Sequence, residues 1–219
     1  MPRAALVLRP EPGNAHTRAA LAAAGIEARA LPLFRVEPRA WPVPDARDYD
    51  ALLITSANAV RHAGAGLARL ASLPVVAVGA ATARAARAAG LTVALVGSGD
   101  AADAVAQARS FPRLLHLAGR DRAGKLTLPA VTVYASVAVT PPAEALAAAL
   151  DAVVLLHSPR AAARFAALAA ALPRERVRLA ALSEAVLAAA GGGWQAGAAA
   201  RAPTDLALVE CAAGLAIDP

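Results

Sequence analysis

The segment Asp50-Ala51-Leu52-Leu53-Ile54-Thr55-Ser56-Ala57-Asn58-Ala59-Val60 is echoed about a hundred residues later by Asp151-Ala152-Val153-Val154-Leu155-Leu156-His157-Ser158-Pro159-Arg160-Ala161. In both copies an acidic residue opens a short apolar run, two polar residues close it, and an alanine-rich stretch of helical composition follows. The pattern then repeats within each copy. Val75-Val76-Ala77-Val78 runs into Gly79 and a helix closed at Gly90, and Leu179-Ala180-Ala181-Leu182 runs into Ser183 and a helix closed at Gly191. Continuous apolar runs separated by helices are what a parallel sheet buried on both faces requires, because parallel neighbours can be joined only by a long crossover. Two copies of that unit point to two similar α/β domains rather than one large sheet.

The same signals predict strands at Ala5–Leu8, Ala28–Leu31, Ala51–Ile54, Val75–Val78, Thr92–Val96, Arg113–Leu117, Val131–Tyr134, Ala152–Leu156 and Arg178–Leu182. Helices are predicted at Asn14–Ala24, Ala57–Ala71, Ala80–Ala89, Ala101–Ser110, Pro142–Leu150, Pro159–Ala170, Ser183–Ala190 and Thr204–Ala213. Glycine or proline follows nearly every helix, as at Gly25, Gly90 and Pro173, which is how helices stop. The Pro-rich stretch Pro32–Pro44 and the stretch Ser136–Pro142 read as linkers.

Composition removes several alternatives. With 58% hydrophobic and 17% charged residues the chain is not disordered, and 219 residues can bury a real core. Cys211 is the single cysteine, so no internal disulfide can form, a reducing compartment is expected, and no Cys/His cluster has zinc-ligand spacing. The apolar run Ala4–Leu8 is shorter than the about 7–15 residues of an export signal, and no run nears the roughly 20 residues of a membrane span, so a cytoplasmic protein without a membrane partner is expected. Net charge is +6, and every basic residue but Lys125 is arginine, which suits bidentate recognition of carboxylate or phosphate. A biased coding composition accounts for the same excess. The arginines are scattered, as at Arg84, Arg87, Arg160 and Arg164, and only 3% of residues are aromatic, so nucleic acid is not an expected partner.

The residues that could carry chemistry fall at predicted strand ends. A polar pair that ends a parallel strand and opens a helix has free backbone N–H groups, and it suits either an anion or an ordinary helix cap. Thr55-Ser56 and His157-Ser158 are two such pairs, and open α/β sheets bind ligands at the carboxyl ends of their strands. Gly79-Ala80-Ala81-Thr82 is a third turn, where glycine permits close backbone approach. Gly119-Arg120-Asp121-Arg122 brings two guanidiniums to the end of the strand containing His116-Leu117, or forms a solvated loop. Tyr134 ends a strand at a linker, where its hydroxyl could reach a cleft; on the residues alone, a half-buried strand tyrosine is the simpler account. No GxGxxG or Walker sequence and no Ser/His/Asp or Cys/His constellation is present, so nucleotide binding and nucleophilic catalysis lack support. Cys211 reads as a small core residue.

In order and spacing these pieces resemble the uroporphyrinogen-III synthase family over essentially the whole chain. The matching residues are Leu8-Arg9-Pro10, Leu31-Pro32-Leu33, Ile54 to Val60, Val78 to Ala83, Ala118-Gly119-Arg120-Asp121, Val131-Thr132-Val133-Tyr134, His157-Ser158-Pro159 and Ala202-Pro203-Thr204-Asp205. The resemblance implies two flavodoxin-like parallel-sheet α/β domains, residues 1–35 with 139–219 and residues 39–133. They would be joined by a two-stranded linker at about 36–38 and 134–138, with the ligand cleft between the domains. It implies a lyase of tetrapyrrole and heme biosynthesis that cyclises hydroxymethylbilane to uroporphyrinogen III, with inversion of ring D and loss of water, using no metal and no organic cofactor. The implied catalytic residue is Tyr134, which would help the hydroxymethyl oxygen leave as water. The implied substrate-binding residues are Arg9, Thr55, Ser56, Gly79, Thr82, Gly119, Arg120, His157, Ser158 and Ser183. A cytoplasmic monomer that receives its substrate from hydroxymethylbilane synthase is expected. The chain departs from the family at three positions: His157 where Thr or a small or apolar residue is usual, Ser183 in place of a Gly, and Val186 where many members have Thr.

The implied chemistry suits a chain without strong catalytic groups. An electron-rich pyrrole drives loss of the hydroxyl, so modest acid assistance suffices. The harder task is to hold a flexible octacarboxylate in the one fold that passes through a spiro intermediate, and backbone N–H groups with arginines can do that. A two-domain α/β binding protein for a small anionic ligand shares these features and remains the competing reading. A receiver-like module would need an acidic pocket that Asp50 and Asp121 alone do not make.

Overall fold

The computed structural model describes residues 2–121 and 126–217, so Arg122 lies outside the described residues. In chain order the elements are β1 (Ala5–Val7), α1 (Gly13–Ala23), β2 (Ala28–Ala30), β3 (Phe34–Pro38), β4 (Ala51–Ile54), α2 (Ala57–His62), β5 (Val75–Ala77), α3 (Ala80–Ala88), β6 (Val93–Val96), α4 (Ala101–Gln107), β7 (Leu114–Gly119), β8 (Ala130–Ala138), α5 (Ala143–Ala147), β9 (Val153–Leu156), α6 (Pro159–Leu168), β10 (Arg178–Ala181), α7 (Glu184–Ala189), β11 (Ala196–Ala199) and α8 (Asp205–Ala216). The chain divides into two compact units, Met1–Arg35 with Ala138–Pro219, and Val36–Val137.

The first unit holds a five-stranded sheet in the order β11-β10-β9-β1-β2, and every pairing in it is parallel. Numbered by their own succession the strands run 2-1-3-4-5, the flavodoxin order, with its reversal between β1 and β9. The second unit holds a six-stranded sheet in the order β3-β8-β7-β4-β5-β6, parallel from β8 through β6. In space β8-β7-β4-β5-β6 repeats β2-β1-β9-β10-β11. In the chain, however, the pair β7-β8 follows its partners, whereas β1-β2 precedes them. The duplication is one of arrangement with a permuted chain order, and the reversal in the second unit lies between β7 and β4.

Central strands are apolar throughout because helices cover both faces. All four residues of β4 are fully buried, with Leu52 and Ile54 packed among Val60, Leu67 and Leu70, and Ala51 and Leu53 among Val76, Ala104 and Leu114. Strand β9 does the same: Val154 and Leu156 meet Phe165, while Val153 and Leu155 meet Leu21 and Leu208. Each buried Leu or Val contributes about 1.5–3 kcal/mol of transfer free energy.

Two stretches differ from expectation, and the two linkers form the pair of strands that the resemblance implied. The helix expected over Ala57–Ala71 stops at His62 and continues as a 3-10 turn, Gly64–Leu70. Gly64 has φ +63°, and a Cβ on Gly66 would lie 2.6 Å from the Trp41 ring, whose Nε1 donates to the Ala63 carbonyl at 3.0 Å. The Pro-rich stretch that supplies Trp41 therefore packs on the unit and also contains β3. The second expected linker is likewise strand, because β8 runs on to Ala138. The bonds Arg39 N to Val133 O and Val139 N to Leu33 O, both 2.9 Å, make β3 and β8 antiparallel. Finally, β11 is spelled Ala-Gly-Ala-Ala, which carries no strand propensity. Parallel pairing to β10 and the seating of Leu187 on Gly197 make it a strand.

Candidate active site

In the first unit the reversal point between β1 and β9 gathers four side chains. Arg9 follows β1, His157 follows β9, Thr17 is on α1 and Asp205 opens α8. Asp205 Oδ1 accepts from Arg9 Nη1 at 3.0 Å and from Thr17 Oγ1 at 2.9 Å, and it lies 3.1 Å from His157 Nε2. The Thr17 hydroxyl also reaches Asp205 Oδ2 at 3.1 Å and accepts weakly from Arg9 Nη1 at 3.3 Å. Beneath them Asn14, fully buried, donates to the Val7 and Arg9 carbonyls at 2.8 and 2.9 Å and so ties α1 to the end of β1.

The His157 side chain is 11% exposed. Burial first, then the Arg9 guanidinium, pulls its pKa from 6.5 down to about 4, against an opposing pull from Asp205. Neutral at ordinary pH, the imidazole donates to the carboxylate through Nε2–H. Among the described residues its buried Nδ1 has no hydrogen-bond partner, although the nearby Leu155 backbone favours the cation. The remaining polar turns of this unit close on themselves. Ser158 caps α6 by accepting from Ala161 N, Ser183 caps α7 through Val186 N, and Thr204 caps α8 through Ala207 N.

In the second unit the corresponding reversal brings Thr55, after β4, against His116 of β7, with Oγ1 and Nε2 3.2 Å apart. Ser56 caps α2 by accepting from Asn58 N at 3.2 Å. Gly79, which stands where the first unit has Ser183, gives α3 no side-chain cap. Its backbone is extended at φ −153°, and nothing lies within 4 Å of where a Cβ would be, so neither conformation nor packing calls for glycine. Thr82, buried at the third position of α3, completes this open turn.

One strand over, Tyr134 of β8 is seated on Gly119 of β7. A Cβ on Gly119 would lie 2.6 Å from the Tyr134 Cζ and 2.8 Å from its hydroxyl, so here glycine makes room for the phenol. The sheet register shifts at this point, between Ala118 and Gly119. The Arg120 amide donates to the Tyr134 carbonyl at 2.9 Å, and its Nη2 reaches the Ser136 carbonyl at 3.2 Å, beside a long 3.4 Å pair with Asp121. His62 lies 6.4 Å from the Tyr134 ring, with burial lowering its pKa.

The structure thus brings Arg9 to His157 within the first unit. Within the second it brings Gly119, Arg120 and Tyr134 together, and leaves Gly79 with Thr82 as a separate turn. Sequence reasoning missed Thr17, Asp205 and Asn14, because each reads locally as an ordinary helix residue. It also missed the His116–Thr55 contact, for which a polar residue inside an otherwise apolar strand was the available signal. A cavity of about 390 Å³ in the first unit, beside β11 and α8, is lined by Arg201, Glu210 and Cys211 among others and touches none of the expected residues. Among the described residues no three His, Cys, Asp or Glu side chains gather as metal ligands do.

Two doubly wound α/β units, each with polar turns at its reversal point, define a class of protein whose strand ends suit anions. The family model for uroporphyrinogen-III synthase HemD matches residues 15–210. The chain belongs to the uroporphyrinogen-III synthase family, lyases of tetrapyrrole biosynthesis. Among solved structures, uroporphyrinogen-III synthetase from Helicobacter pylori shares 15% identity, covers 97% of this chain and 99% of its own, and superposes with a TM-score of 0.69. A mutant uroporphyrinogen III synthase from Thermus thermophilus shares 19% identity, covers 97% of each chain and gives 0.52. At these identities the two structures speak for the fold. No curated protein sequence gives a significant match.

Proposed function

We propose that the chain cyclises hydroxymethylbilane to uroporphyrinogen III, with inversion of ring D and loss of water, and that Tyr134 and the two strand-end rims carry the reaction. The family match over residues 15–210 carries the reaction assignment. The seat of Tyr134 on Gly119 supports the residue assignment, since a glycine is held there for a phenol. A phenol is a hydrogen-bond donor at neutral pH. Tyr134 O–H gives its proton to the departing hydroxyl as the C–O bond breaks, the pyrrole nitrogen's lone pair pushing through the ring to the exocyclic carbon, and the phenolate takes back the proton that the substrate releases on ring closure. No stronger acid is required, because the electron-rich ring supplies most of the driving force.

The rims hold the substrate's carboxylates. In the second unit the uncapped amides of α3 at Gly79 and Thr82, the Thr55-Ser56 turn and the Arg120 guanidinium are the donors. In the first unit they are the Arg9 guanidinium and the backbone amides of the turns at His157-Ser158 and Ser183, whose side chains are already engaged. Fixing many carboxylates restricts the bilane to few conformers, which is how an enzyme selects a spiro closure over a direct one. The protein works as a cytoplasmic monomer that takes its substrate from hydroxymethylbilane synthase. No helix among the described residues is long and apolar enough to cross a membrane.

Incubating the purified protein with hydroxymethylbilane and separating the uroporphyrinogen isomers tests the assignment. Type III is expected; spontaneous closure gives type I, and a product unchanged by the protein would reject it.

A further inference from the structure

Asp205 does more in the first unit than open α8. Three donors from three other elements converge on its carboxylate: Arg9 Nη1 after β1, the Thr17 hydroxyl on α1, and His157 Nε2–H after β9. Its side chain is 21% exposed and that of Arg9 is 32%, so the pair is partly screened rather than a free surface bridge. Only one face of Arg9 is used. Among the described residues Nε and Nη2 meet no acceptor, and that edge lies over Gly13, the first residue of α1, where a Cβ would sit 2.6 Å from Cζ and 2.7 Å from Nη2. A guanidinium held through one nitrogen, with its Nε/Nη2 fork empty, is prepared for a second carboxylate in bidentate geometry.

We propose that Asp205 is a positioning residue that fixes Arg9 by its Nη1 and presents the Nε/Nη2 edge to one carboxylate of the substrate, with Thr17 and His157 holding Asp205 in turn. This rests on the proposed reaction with hydroxymethylbilane. His157 contributes as a neutral donor: a protonated imidazole would place a second cation beside Arg9, and a residue without an N–H would leave Asp205 Oδ1 one donor short. The arrangement gives the unusual histidine at this turn a partner and a purpose. It also explains why an acid immediately follows Thr204, which already caps α8 without it.

The inference separates Asp205 from a general structural role through its dependence on Arg9. Asp205→Ala is expected to raise KM for hydroxymethylbilane by about tenfold while leaving kcat and the type III product nearly unchanged. In an Arg9→Ala background the same substitution should leave KM where Arg9→Ala alone puts it. An equal rise in both backgrounds, or no rise in the first, would overturn the proposal. Asp205→Asn, which keeps the shape and an acceptor oxygen, guards against a folding defect and should show a smaller rise than alanine. An independent readout uses no substrate: ¹⁵N spectra of the wild type should show slowed rotation of the Arg9 guanidinium and the Nε2–H tautomer of His157, with the slowed rotation lost in Asp205→Ala. Free rotation of Arg9 in the wild type would refute the hold even if the protein proved inactive on hydroxymethylbilane. A wild type with a held Arg9 and no turnover would instead refute the reaction.

Discussion

His157 couples the first unit's rim to stability. Because its folded pKa of about 4 lies below the unfolded 6.5, the unfolded chain takes up a proton between those values while the folded chain does not. The stability it protects is full above pH 6.5 and is lost as pH falls toward 4, by about 2–3 kcal/mol. Urea unfolding of the wild type and of His157→Thr at pH 7 and pH 4.5 should show the wild type losing more, and parallel losses would contradict a buried neutral imidazole. Tyr134→Phe removes the donor but keeps the ring on Gly119, so it should slow turnover by about 10²-fold while type III remains the product. Near wild-type turnover would make Tyr134 a packing residue only. The chain's spelling reveals His157, Thr55 and Tyr134 because they interrupt apolar runs at strand ends. It hides Asp205 and Thr17, whose meaning comes from partners 188 residues apart.

At the scale of elements, the two units have diverged at equivalent turns. Ser183 caps α7, whereas Gly79 leaves α3 open with empty space where a side chain would be. If that open turn receives a substrate carboxylate, Gly79→Ser should fill it. Thermal stability should change little, since serine and glycine differ by only a few tenths of a kcal/mol at an N-cap, while KM for hydroxymethylbilane should rise several-fold. An unchanged KM would remove the α3 terminus from the binding rim. Helix stops at Gly25 and Gly90 were legible, and both glycines do adopt positive φ, +75° and +79°. The break at Gly64 was not, because Trp41 enforces it from a distant stretch of chain. Nor was β11, whose composition favours helix and whose strand pairing comes entirely from its neighbours.

For the whole molecule, the echo of Asp50–Val60 in Asp151–Ala161 exposed the duplication because β4 and β9 begin equivalent runs. Asp50 pairs with Arg113, just before β7, and Asp151 with Arg176, just before β10, so each acid that opens a copy holds an arginine, but on opposite sides of the equivalent strands. The permutation was invisible, since β1-β2 and β7-β8 occupy equivalent places without sharing a recognisable spelling. The two linkers, whose spelling marks no strand, are the paired strands that the family resemblance implied, each tied down locally. In the first unit Arg160 and Arg164 lie 4.4 and 5.8 Å from the Phe34 ring centre, and Arg164 Nη2 donates to the Val139 carbonyl at 2.7 Å. Within each unit the proposed donors stand at strand ends, which suits a catalyst that would work by holding its substrate. The most direct test of that claim follows the type III fraction of the product as the protein concentration is raised at fixed hydroxymethylbilane, with no cofactor added. Enzymatic and spontaneous closure compete for one substrate, so the fraction should climb from the type I background to nearly all type III. A fraction that stays at the type I background at every concentration would contradict the account.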